Sequence, residues 1–148
     1  MISLSILTVI GLVLLKLSMN ILAPRQWIMQ QTLADAYMSL ERSTAERIPF
    51  AILTGASSPW PNFATGRIAV TNNVSIGALP DRAATGVPII GTVTRTRFAD
   101  TNNLAANGGV GTTATNPASM NIWRIQSVLT FRVGANQYVK SRTVIRSE

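Results

Sequence analysis

The sequence predicts an α+β fold, a long N-terminal helical spine packed on a C-terminal antiparallel sheet of about 3–4 strands. Three observations lead to it. Residues 1–15 carry no charge, and residues 2–22 form an apolar run whose only charged member is Lys16. Residues 25–48 lack Gly and Pro and repeat apolar side chains at helical spacing. Residues 123–146 alternate between apolar and polar in two runs separated by Gly134, Ala135 and Asn136.

The elements follow in chain order. A bilayer-crossing helix needs about 20 mostly apolar residues, and residues 2–22 supply that length, with Lys16 placed to snorkel. A removable secretory signal would begin with basic residues and end at a small-residue cleavage site, and neither is present. Beyond it, Met29, Leu33, Tyr37, Leu40 and Ile48 fall on one helical stripe, which leaves Glu41, Arg42, Glu46 and Arg47 to solvent. Pro49 ends the run, and Gly11 and Pro24 are the two places where the spine can loosen or kink. The chain therefore divides into an apolar assembly or transmembrane helix, 1–24, and a globular head, 25–148. The head comprises an amphipathic helix (25–48), a loop-rich region (49–88) and an antiparallel sheet (89–148).

Within the head, residues 67–77 hold short β-type runs with a turn at Asn72-Asn73, and residues 87–98 read as a strand rich in Val, Ile and Thr. Residues 99–121 are a long Gly/Asn/Thr loop. Next, Trp123, Ile125, Leu129 and Phe131 share one face of a strand. Residues 134–136 read as a three-residue turn, and the returning strand puts Val139 and Ile145 on that same apolar face. Leu33, Tyr37 and Leu40 are expected to pack there. Arg124, Arg132, Lys140, Arg142 and Arg146 then form a basic opposite face, a candidate surface for DNA or an acidic polysaccharide. Dispersed charge of this kind is more often plain solvated surface.

Net charge is +7, and the chain has no Cys and no His. The commonest general base, the commonest metal ligands and all thiol chemistry are therefore missing, and six acids remain. No enzyme, cofactor or metal is expected. Asp100, Asn102 and Asn103 offer one acid to a cation that wants six to eight oxygens, and they read as an Asn-rich turn. Asn73-Val74-Ser75 matches the N-glycosylation pattern, and the glycines at 108–111 lack the Lys and the Ser or Thr of a phosphate loop. Trp27, Trp60 and Trp123 read as core or interface anchors.

An apolar helix at the N-terminus, a proline at 24, an amphipathic continuation and then an antiparallel sheet make the chain resemble a type IV pilin or pseudopilin. The resemblance covers the whole architecture, with motif identity confined to about the first 25 residues. It implies a structural subunit that polymerises with copies of itself. It implies a precursor in the inner membrane, handled by pilus assembly machinery, and then an extracellular filament at the cell surface. A basic leader would be cut away, leaving Met1 as a methylated first residue. The family usually places a glutamate at the fifth mature position, where this chain has Ser5. Ser3, Ser5 and Thr8 would then solvate a neighbour's terminal amine. With Gly11 and Pro24 weakening the helix, the stretch 14–24 is expected to melt on packing and to offer carbonyls to Lys16. The same features fit two other readings: a minor pseudopilin of a type II secretion or DNA-uptake machine, and a non-polymerising single-pass membrane protein with a small β-domain.

Overall fold

A computed structural model describes residues 2–79 and 86–148, with side chains throughout except at 2, 3 and 19–23. The architecture is α+β with a four-stranded antiparallel sheet. Helix α1 is Ile2–Arg47 and α2 is the short Phe50–Thr54. The strands are β1 (Ala69–Leu79), β2 (Val87–Ala99), β3 (Ile122–Val133) and β4 (Asn136–Ser147), joined as a meander in the order β1-β2-β3-β4. Single 3-10 turns occur at Phe63–Thr65 and Ala105–Asn107.

Helix α1 contains Pro24 and is assigned as helix on both sides of it, so the opening expected over 14–24 is not present in the single chain. A proline removes one backbone donor, and helix formers on both sides outweigh that loss. Among the described residues, no helix is long and apolar enough to cross a membrane. The transmembrane expectation for 1–24 is therefore not met by them. Met1 and the side chain of Ser3 lie outside the described residues.

The part of α1 that lies on the sheet buries Ala34, Met38, Glu41 and Ala45, spaced four, three and four apart. This differs from the predicted stripe. Leu33, Tyr37 and Ile48 sit at its margin, while Met29 is exposed and Leu40 is 61% exposed. The helix is rotated because a glutamate occupies the centre of its buried face, which a search for apolar spacing excludes. Two alanines on the same face let the helix backbone come close to the strands. Two apolar clusters result. Ala34 and Met38 pack with Ile76, Ile89, Val93, Leu129 and Phe131, while Ala45 packs with Leu53, Trp60, Trp123, Ile125 and Val144.

The β3–β4 loop is two residues long, with Val133 opposite Asn136 and Gly134 at φ 61°. The predicted three-residue turn would have placed Val133 opposite Gln137. That one-residue difference moves every side chain of β4 to the other face. Odd residues of β3 therefore share a face with even residues of β4: Ile125 lies opposite Val144 and Leu129 opposite Lys140. Val139 and Ile145 point away from α1 and are 62% and 67% exposed. The apparent turn at Asn72-Asn73 is a bulge: the register shifts between Thr71 and Val74, with Asn73 at φ 56°.

Candidate assembly surface and the polar core of the head

The exposed apolar surface of this chain is concentrated in the first half of α1. Leu4, Ile6, Leu7, Val9, Ile10, Leu12, Val13, Leu14, Leu15 and Leu17 are each 51–72% exposed. Successive helical positions are 100° apart, so these side chains cover the whole circumference. Lys16 is exposed among them, and a Cβ at Gly11 would meet open space. Thr8 Oγ1 donates to the carbonyls of Leu4 (2.6 Å) and Ser5 (3.1 Å), so its hydroxyl is held by its own helix. Contiguous apolar patches much beyond a few hundred Å² mark interaction surfaces, and this one continues over about four turns.

The head is organised around a buried carboxylate. Glu41 is 6% exposed, a correction to its expected solvent position. Arg95 on β2 grips it with Nε at 2.7 Å and Nη2 at 2.5 Å, and Ser127 on β3 donates to it at 3.1 Å. Ser127 in turn accepts from the Trp60 indole at 2.9 Å. Burial alone would raise the Glu41 pKa. The hydrogen bond and charge of Arg95, with help from Ser127 and Tyr37, override it and hold the carboxyl below its ordinary range. The same contact raises Arg95. Tyr37 is raised by its own burial and by the Glu41 charge.

Arg97 is a second inward-facing cation and is itself buried. Its Nη1 donates to the carbonyls of Leu53, Gly55 and Trp60 at 2.5, 3.2 and 3.0 Å, and its Nη2 to that of Thr54 at 2.6 Å. Its guanidinium lies over the Trp123 ring at 5.2 Å. It thus fastens the C-terminal end of α2, where the carbonyls carry the negative end of the helix dipole. Desolvation lowers its pKa.

The predicted basic face is divided by the β4 register. Arg124 and Arg132 lie on the open side. Lys140, Arg142 and Arg146 turn towards α1 instead. Lys140 Nζ bonds Asp35 Oδ2 at 2.6 Å and the Gln31 carbonyl at 3.2 Å, and Arg142 lies 3.7 Å from Asp35 Oδ1. Arg146 Nη1 donates to the carbonyls of Ala45, Glu46 and Ile48, at the C-terminus of α1. Trp123, Ile125, Leu129 and Phe131 face the helix as predicted. Trp60 and Trp123 are core residues, and Trp27 is exposed.

The 100–121 loop is pinned by its asparagines. Asn103 is fully buried, donating to the Ile122 carbonyl and accepting from its N–H, both at 2.8 Å. Asn116 does the same for Met120. Among the described residues, no group of three acidic, His or Cys side chains could hold a metal ion. None of these pairings was visible in the sequence, because Glu41, Arg95 and Ser127 are far apart in the chain and each has an ordinary surface role as its default. No family model, curated protein or solved structure matches this chain.

Proposed function

We propose that this chain is a structural subunit of a type IV pilus-like filament, polymerising through the apolar half of α1. One observation carries the reading: ten large aliphatic side chains are exposed around the full circumference of a helix whose other half is fixed to a separate head. Fully burying such a side chain is worth about 1.5–3 kcal/mol, and roughly half of each remains to be buried. The total is on the order of 10 kcal/mol per subunit, comparable to the cost of association, about 4–15 kcal/mol. Copies of the same helix supply a matching surface, and the heads then form the outer shell.

The test is electron microscopy of the full chain after detergent removal. The native chain is expected to form filaments. Leu14→Asp, which puts a charge where a neighbour must pack, is expected to stay monomeric, while its head unfolds at the same denaturant concentration as the native head. A native chain that remains monomeric after detergent removal would refute the proposal.

A further inference from the structure

The two edges of the sheet are built differently. The β1 edge is interrupted by two register shifts, between Thr71 and Val74 and between Ser75 and Gly77. Strand β4 pairs with β3 through twelve consecutive positions without a break. Asn121 and Glu148, directly beyond the strand ends, exchange both backbone hydrogen bonds, at 2.9 and 3.2 Å. Such pairs alternate along an antiparallel ladder. The even residues of β4 therefore address β3, and the odd residues turn their N–H and C=O groups to the free edge.

Those odd residues are Gln137, Val139, Ser141, Thr143, Ile145 and Ser147, all uncharged and half of them β-branched. Their side chains occupy the face opposite α1. A long, regular edge whose outward-bonding residues are uncharged is a template for strand pairing, and the cations of β4, Lys140, Arg142 and Arg146, lie on the α1 side. The sequence also selects a partner strand. Val139 and Ile145 are equally spaced about Arg142. Two copies of β4, antiparallel and centred on Arg142, set Val139 opposite the partner's Ile145 and Ser141 opposite the partner's Thr143. Aliphatic β-branched pairs and hydroxyl pairs are favourable cross-strand neighbours, and in this register the outward backbone groups also meet.

We propose that the free edge of β4 is a self-association surface that joins the heads of two copies into one continuous eight-stranded sheet. The centre of the contact sets Arg142 against the partner's Arg142, and the Asp35 carboxylate beside each guanidinium offsets their repulsion. The contact is two-fold, so it closes on itself and cannot propagate a filament. The axis stands perpendicular to the sheet and reverses every direction within it, so the two α1 helices run in opposite senses. The contact therefore links copies from two separate assemblies, independently of polymerisation through α1.

The chain has no cysteine, so introduced thiols report cleanly. Full-length Ser141→Cys and Thr143→Cys proteins, kept in detergent, would be oxidised with copper-phenanthroline, separately and mixed, because a disulfide joins directly opposite strand positions and not the diagonal 141–141 or 143–143 pairs, about 7–8 Å apart. Cross-linked dimer is expected from the mixture and at least tenfold less from either protein alone. Val139→Pro, added to both, removes an outward N–H and leaves the β3 ladder intact, and it should abolish the cross-link with the tryptophan emission of the head unchanged. No cross-link in the mixture, equal cross-linking by the single proteins, or a cross-link that survives Val139→Pro would each overturn the proposal. Filament formation by the Val139→Pro chain is expected to be normal, which separates this contact from polymerisation.

Discussion

Glu41→Ala tests the polar centre of the head most directly. It removes the acceptor of both short Arg95 bonds and of the Ser127 bond, and leaves a guanidinium in a site where its side chain is 20% exposed. Breaking a buried pair by deleting one partner costs about 3–5 kcal/mol, and the residual exposure of Arg95 points to the lower limit, about 3 kcal/mol. For a chain of this size that corresponds to roughly 6–12 °C in melting temperature. Glu41→Gln keeps the shape and one acceptor and is expected to lose about 2 kcal/mol, the worth of the charge-assisted bonds. The pH dependence gives a second readout. The folded carboxyl is depressed below its ordinary value of 4.5, so its contribution is fully present above that pH. It is lost as pH falls through the lower folded value. Urea unfolding followed by tryptophan emission, repeated from neutral pH into the acid range, measures both. The reasoning fails if Glu41→Ala unfolds within about 0.5 kcal/mol of the native chain. It fails equally if Glu41→Gln retains the full acid-induced loss.

Three further outcomes are expected. Arg97→Lys leaves one ammonium to serve carbonyls of four different residues, and should lose about 2 kcal/mol with a changed Trp60 emission. Arg146→Ala releases the carbonyls at the end of α1 and should speed hydrogen exchange over 44–48, at a global cost of about 1 kcal/mol. In Gly111→Ala the new Cβ would collide with the Asn102 carbonyl oxygen. That loop must shift, which limited proteolysis between 100 and 121 will report.

The elements whose signal is local were legible in the sequence. The apolar run, the helix-forming stretch after it and the alternation of β3 all depend on side chains within one turn or one strand. Placement between elements was not. The Val139 and Ile145 face depended on whether Asn136 closes the turn or begins the strand, and a local pattern does not decide that. The sequence places Glu41 in solvent because a carboxylate is rarely buried without a partner, and its partner Arg95 lies in a different element. Ser127 interrupts the apolar face of β3 and was the one available hint, since a hydroxyl buried between Ile125 and Leu129 needs a polar neighbour.

The register of β4 also sets the charge that the sheet presents. The four strands contain no Asp or Glu, and their cations are Arg95, Arg97, Arg124, Arg132, Lys140, Arg142 and Arg146. Only Arg124 and Arg132 face the open side. The other five face α1, where two carboxylates and a series of carbonyls receive them. The net charge of +7 thus overstates what the sheet offers to a polyanion. A duplex laid across a face of five cations would give a salt slope of about −4.5, whereas the two that remain give about −2. Any DNA binding by this head should show the smaller slope and weaken on Arg124→Ala. Lys140→Ala should instead loosen α1 from β4 and leave the slope where it was. A slope near −4.5, falling by about one with Lys140→Ala, would mean that Lys140 leaves Asp35 in solution and that the inward assignment of these cations is wrong.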